Sequence, residues 1–363
     1  MKLAFITATP QNSELGSGTF VGNDRLIRAL RERGHDVDVV APAHGPGRLG
    51  YTVHRFAWNA RLRPRDFDAY DAVIGLDMDG VRVSGRTKPP FVAYIHGIIA
   101  DEATFERGAV RLSLQLQGLA ERVSVHRANA VVTTSRYSAA RLATLYQLPV
   151  AHIKIVPPPI DVAGWDAACA RLAVPEANRP TILCVGVQYP RKSVDTLIRA
   201  VALLRADVPD VCLRIASKGP EWENLRALTA QLGLGDAVTF LGHVPFDALV
   251  AEYQACTLFC LPSLQEGWGL VFAEAMASRK TVVACRSSST PEVIEDGVSG
   301  LLCRPRDPVD LARQLARALK DPALRLSLGE AGRATALAYD ATLMAGRLLD
   351  VVRGVRSKEK EQI

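Results

Sequence analysis

The chain has 363 residues, 48% apolar and 23% charged, with a net charge of +6, and at roughly 150 residues per domain this length favours two domains. No apolar run approaches the roughly 20 residues of a membrane-spanning helix, and no small-residue cleavage site follows the opening MKLAFITATP, so a soluble cytoplasmic protein is expected. The seven cysteines show neither a disulfide framework nor metal-ligand spacing, and no helix-turn-helix or base-stacking pattern accompanies the charge, which argues against nucleic acid as a partner.

KLAFIT reads as a first buried strand. Residues 23–33 place Leu26, Ile27 and Leu30 on one helical face, Gly34 suits the end of that helix, and VDVVA begins the next strand. DAVIGL, PFVAYI, NAVVTT and IKIVP continue as strands, with amphipathic helical stretches at 108–127 and 138–146. Apolar strands alternating with helices predict a parallel sheet covered on both faces. The basic excess lies in this part: residues 1–160 carry 20 Lys and Arg against 14 Asp and Glu, and the remainder carries 24 of each. Arg55, Arg61, Arg63 and Arg65 cluster beside Phe56 and Trp58. This cluster reads either as a solvated arginine-rich loop or as a peripheral membrane or anionic-acceptor contact.

VPPPID at 156–161 breaks the alternation, because three consecutive prolines fit neither a helix nor a central strand, and it marks a hinge followed by a linker to about Pro180. TILCVG, VCLRIA, AVTFLG, TLFCLPS and TVVAC then restart the strands, with helices at 193–204, 221–232, 246–255, 270–278, 307–319 and 324–337. The expected domains are 1–160 and 161–339, with a last helix over 340–357 packing back onto the first. In doubly wound sheets, ligands sit beyond the carboxyl ends of the strands.

The segment EGWGLVFAEAM, residues 266–276, follows one such strand and opens a helix through a glycine-bearing turn. Unpaired amides and the positive end of the helix dipole bind phosphate there without any side chain. A carboxylate at about 5 Å from a phosphate charge would be repelled by roughly 3 kcal/mol at an effective dielectric near 20, so Glu266 and Glu274 suit hydroxyl groups instead. Eight helical steps span about 12 Å, comparable to the distance between the two sugars that flank a diphosphate. The spacing points to a nucleotide sugar. A surface pair at a helix start is the competing reading.

The chain resembles the retaining glycosyltransferases of family 4 (group 1). The resemblance is carried by GSGTFVGNDRLIRALRERGHDVDVV, VGVQYPRKSVDTLIRA and VTFLGHVPFDALVAEYQA, and most specifically by LPSLQEGWGLVFAEAMASRKTVVACRSSSTPEVIEDGVSGLL. It implies an α/β GT-B fold, two facing Rossmann-like doubly wound domains with an interdomain cleft. It also implies transfer of a hexose from a nucleoside-diphosphate sugar to a small-molecule, glycan or lipid-linked acceptor hydroxyl, with retention and without metal or other cofactor. By the same resemblance Glu266 holds the donor sugar, Glu274 the ribose, and the backbone at Gly267, Trp268, Gly269 and Leu270 the sugar and diphosphate. Lys192 and Arg191 meet the diphosphate, Gly18 with Thr19 forms the first-domain loop, His96 faces the donor sugar, and Val244 lies in the loop that meets the base.

Departures from the family pattern are Val187 in place of an arginine, Ser217 in place of a glycine, Ser288 and Ser289 in place of a glycine pair, and a longer polar loop over 8–22. STPE at 289–292 is explained by a helix start alone, and for His96 a satisfied structural histidine at the end of an apolar strand is the competing reading. Asp77-Met78-Asp79 has the D-x-D form of a metal motif but ends a first-domain strand, outside any donor loop. A GT-B nucleotide-sugar epimerase or a non-catalytic nucleotide-sugar-binding protein shares most of these features. A redox Rossmann protein fits less well, because Val21 stands where GSGTFVG needs its third glycine.

Overall fold

The computed structural model describes residues 1–8, 18–43 and 50–361, and their side chains apart from those at 18–19 and 358–361. The chain forms two compact units, Met1–Pro159 with Ala341–Ile363, and Ile160–Asp340.

In chain order the first unit contains β1 (Lys2–Ile6), α1 (Gly18–Glu32), β2 (Asp36–Val40), α2 (Gly50–Asn59), β3 (Ala72–Leu76) and β4 (Phe91–Ile95). There follow α3 (Ile99–Glu102), α4 (Gly108–Arg127), β5 (Ala130–Thr133), α5 (Arg136–Tyr146) and β6 (Ile153–Ile155). The six strands run parallel in the order β2-β1-β3-β4-β5-β6. Every residue of β3 and β4 is buried, the mark of strands covered on both faces.

The second unit begins with α6 (Val162–Leu172), β7 (Thr181–Val185), α7 (Val194–Leu204), β8 (Cys212–Ala216), α8 (Trp222–Gln231), β9 (Val238–Gly242) and α9 (Phe246–Ala255). It continues through β10 (Leu258–Leu261), α10 (Leu270–Ala277), β11 (Thr281–Cys285), α11 (Thr290–Val293), β12 (Leu301–Cys303), α12 (Pro308–Lys320) and α13 (Pro322–Leu337). The sheet order is β12-β11-β10-β7-β8-β9, again all parallel. From β7 the chain winds outward through β8 and β9, then crosses back to β10 on the other side of β7. The reversal opens a crevice between the carboxyl ends of β7 and β10, the usual seat of a ligand in such sheets. The last helix, α14 (Ala341–Glu361), packs on α1 in the first unit, where Arg356 pairs with Asp71 at 2.6 Å.

Two sequence expectations need correction, and a third element was not read at all. The supposed linker before Pro180 holds α6, whose Asp161 side chain caps it by accepting from the Gly164 N–H. Its anchor is Trp165, buried edge-on against Tyr253, a contact 88 residues away that local patterning cannot reveal. The segment carrying Arg55 is helix α2, not a loop, and Arg55 is buried, so it is no part of a surface arginine cluster. Its guanidinium donates to Asp79 at 2.8 and 3.0 Å and to Gln117 at 3.1 Å. Only Arg61, Arg63 and Arg65 of that group are exposed. The third is β12, which has three residues and too little pattern to be read. No helix among the described residues is long and apolar enough to cross a membrane.

Candidate active site

The loops after β7, β8, β10 and β11 are tied to one another at the carboxyl edge of the second sheet. Gln188, fully buried after β7, donates to the Ser217 carbonyl after β8 at 2.8 Å and accepts from the Glu221 N–H at 3.0 Å. Gly219 has no room for a side chain, since a Cβ there would stand 2.4 Å from the Gln188 nitrogen. The Arg191 carbonyl accepts from the Leu264 N–H at 2.8 Å, joining the β7 loop to the β10 loop across the crevice. The Glu266 N–H then donates to Ser288 Oγ at 2.9 Å, and Ser289 Oγ donates to the Glu266 carbonyl at 3.0 Å. The loop after β11 thereby holds the backbone of Glu266 at both its N–H and its carbonyl.

Its side chain is equally constrained. Glu266 is 7% exposed and receives a hydrogen bond from Lys192 Nζ at 2.5 Å. Burial works to raise the carboxyl's pKa, but the positive charges of Lys192 and Arg191 and the lysine hydrogen bond overcome it, holding Glu266 below the usual glutamate range. The site therefore offers an ionised acceptor in a water-poor pocket. Arg191 lies over the Tyr189 ring at 5.1 Å, and its charge bears on Glu266.

The turn into α10 requires glycine at 269. Gly269 has φ +88°, and a Cβ there would meet the Phe272 ring at 2.4 Å. Leu270 and Val271 accordingly carry the first amides of α10, which helix geometry leaves without an intrahelical acceptor. Trp268 is buried edge-on against Tyr339, with ring centroids 4.7 Å apart, which anchors the turn. Glu274, on α10, is buried and lies 3.3 Å from the Tyr253 hydroxyl, which donates to it. Val244 follows β9 at the far edge of the sheet, two strands from β7.

Two serines that depart from the family pattern occupy left-handed backbone, Ser217 at φ +78° and Ser288 at φ +52°. Glycine is the residue of least strain at both. Ser217→Gly is therefore expected to raise unfolding stability by about 0.5 kcal/mol. Ser288→Gly, with the same backbone relief, should instead lower it by about 1 kcal/mol, because the Glu266 N–H loses its acceptor. Urea unfolding of the two variants checks this; a parallel rise in both would show that the Ser288 hydroxyl contributes nothing.

In the first unit, His96 follows β4, 9% exposed, with its ring stacked on Tyr94 at 4.3 Å. Asp77, at φ +53°, accepts from the His96 N–H at 2.9 Å, and its Oδ1 lies 3.8 Å from His96 Nδ1. Burial would raise the Asp77 pKa, but bonding and charge from His96, aided by Arg55, hold it low. Both oxygens of Asp79 are used within the fold, by Arg55, by Asn59 Nδ2 at 2.9 Å and by the Ala8 N–H at 2.7 Å. Gly18 and Thr19 open α1, with their side chains outside the described residues, as is most of the loop before them.

The structure thus unites Glu266, Lys192, Arg191 and the 267–270 turn in one crevice, with Glu274 on the helix that the turn opens. His96, Gly18 and Thr19 belong to the other unit. Gln188, Ser288, Ser289 and Asp77 were not identified from sequence as holding the site. Ser289 had been assigned to a helix start, yet its hydroxyl makes no cap and turns to Glu266 instead. The one available signal was the replacement of two glycines by hydroxyl-bearing residues.

Comparison with known proteins places this geometry. Residues 173–335 match the family described as Glycosyl transferases group 1, and residues 16–163 match Glycosyltransferase Family 4. A GDP-mannose-dependent alpha-(1-6)-phosphatidylinositol monomannoside mannosyltransferase from Mycolicibacterium smegmatis is 32% identical over 63% of this chain and 63% of its own length. A D-inositol 3-phosphate glycosyltransferase from Mycolicibacterium vanbaalenii is 34% identical over 63% of this chain and 54% of its own. The matched stretch thus spans less than two thirds of these relatives. Among solved structures, a sucrose-phosphate synthase from Thermosynechococcus elongatus superposes with TM-score 0.82 at 21% identity, covering 98% of this chain and 99% of that one. Anabaena HepE in complex with UDP-glucose gives 0.74 at 19% identity over 98% of this chain and 100% of its own. With its two parallel Rossmann-type sheets of the GT-B fold and both family matches, the chain belongs to the group 1, family 4 glycosyltransferases.

Proposed function

We propose that the protein is a retaining hexosyltransferase that takes its sugar from a nucleoside-diphosphate donor and needs no metal. The observation that carries this reading is the buried Glu266 carboxylate, kept ionised by Lys192 and Arg191 beside the amide turn into α10. A carboxylate of this kind accepts hydrogen bonds from sugar hydroxyls, and Glu274, one turn into α10, is assigned to those of the ribose. As the bond from the anomeric carbon to the diphosphate breaks, negative charge grows on the leaving oxygen. Lys192, Arg191 and the first-turn amides of α10 are the groups suited to take it up. The acceptor oxygen bonds the anomeric carbon on the face the diphosphate leaves, and its proton passes to the departing diphosphate oxygen. His96, held by Asp77, is assigned to the donor sugar, Gly18 and Thr19 to the first-domain loop, and Val244 to the base.

The mannosyltransferase relative is named for GDP-mannose, and HepE was solved with UDP-glucose, so these two donors are the first to test. Both curated relatives are named for inositol-containing acceptors, and the basic excess of residues 1–160 suits an acceptor that carries phosphate. A melting screen with guanosine, uridine and adenosine diphosphates should show one that raises the melting temperature, since stabilisation follows RT ln(1 + [L]/Kd). Anomeric analysis of the product should then show the donor's configuration preserved, and an inverted linkage would overturn the mechanism. Turnover should survive EDTA; a loss restored by magnesium would reassign the charge stabilisation to a metal.

A further inference from the structure

Helix α4 is turned inside out. It buries Gln117, Glu121 and Ser124, none more than 4% exposed, and shows Leu112, Leu116, Leu119 and Val123 at 59, 50, 61 and 39%. At 100° per residue these four fall within one narrow stripe opposite the buried face. The orientation is enforced from beneath. Gln117 accepts from Arg55 and donates to Thr52, Glu121 accepts from the Tyr146 hydroxyl at 2.5 Å and the Ile99 N–H at 3.0 Å, and the Ser124 carbonyl accepts from Ser84. Rotating the leucines inward would strip all of these groups of their partners, so the apolar stripe must face outward.

Charge identifies what covers it. Arg111 and Arg122 border the stripe on one side and Arg127 on the other, while the helix's one acidic residue, Glu121, lies on the buried face. Arg111 and Arg122 also line a hollow of about 340 Å³ together with Ala100, Leu119 and Leu145. A second copy docked across a two-fold axis would set these arginines against their own counterparts. An anionic lipid surface satisfies both features, apolar side chains entering the acyl boundary and guanidinium groups meeting headgroup phosphates.

We propose that the exposed face of α4 docks this protein onto anionic membranes, with Leu112, Leu116, Leu119 and Val123 inserted and Arg111, Arg122 and Arg127 on the headgroups. Vesicle binding is read without turnover, so failure of this proposal and failure of hexosyl transfer are separate results. The full chain should sediment with phosphatidylcholine vesicles containing phosphatidylglycerol and remain in solution with phosphatidylcholine alone. Leu116→Gln with Leu119→Gln should weaken that binding about tenfold or more at an unchanged melting temperature. Arg111→Gln with Arg122→Gln should weaken it and flatten its salt dependence. Should the double leucine variant lose cooperative melting, Leu119→Gln alone is read in the same way. Absence of wild-type binding, equal binding by the leucine variant, or loss of binding only on replacing Arg61, Arg63 and Arg65 would overturn the proposal. So would a wild-type dimer that the leucine variant dissociates, which would assign the face to a second copy.

Discussion

Glu266→Gln should lower kcat/KM for the donor by about 100-fold, roughly 2.7 kcal/mol, because a neutral amide replaces a charged acceptor in a site screened from water. The variant also leaves Lys192, 13% exposed at its side chain, without its counter-charge. Breaking a buried pair from one side costs more than removing both partners. Glu266→Gln combined with Lys192→Met should therefore melt closer to wild type than the two single losses predict when added. Saturation kinetics with the donor chosen by the melting screen gives the first result; activity within about twofold of wild type would end the assignment of Glu266 to the sugar.

The same residue sets a pH dependence. The Glu266 carboxyl holds its proton less tightly in the folded protein than in the unfolded chain, so its contribution to stability is complete above the ordinary glutamate value of about 4.3. That contribution fades only as the pH falls through the lower folded value. The stability gap between wild type and Glu266→Gln should thus be constant from about pH 5 to 8 and close in more acidic solution. A gap that closed between pH 5 and 7 would mean that burial outweighs Lys192 and Arg191.

Asp79→Ala is expected to cost about 3–5 kcal/mol of folding stability, because it strands the buried Arg55 guanidinium and removes acceptors from Asn59 and the Ala8 N–H. Against a typical total of 5–15 kcal/mol, such a loss should sharply reduce the folded yield. Replacing both partners, Arg55→Met with Asp79→Leu, should recover part of it, since no charge is then left unpaired. Urea unfolding measures both; a single-variant loss under about 1 kcal/mol would show that water already solvates Arg55.

All strands but β12 were legible because each is a short apolar run bounded by turn residues, and the 266–276 segment because a glycine turn at a strand-to-helix junction leaves a local mark. Helix α6 was not, since what holds it is Trp165 against Tyr253 and Ser278 Oγ, contacts that no window of neighbouring residues contains. Arg55 misled for a related reason. Composition places an arginine at the surface, and only the convergence of Asp79 and Gln117 from distant elements makes its burial affordable.

The sequence by itself determined the alternation of strands and helices, the restart after the prolines at 157–159, and the residue types at the β10–α10 turn, because these depend on local propensity and period. Tertiary structure alone decided that the β7 and β10 loops meet, that Lys192 and Arg191 keep Glu266 ionised, and that Ser288 and Ser289 brace its backbone. It also decided which face of α4 points outward. Each of these outcomes depends on pairing groups remote in sequence and withdrawing them from water, and the strength of such pairing is set by burial, which a linear chain does not encode position by position.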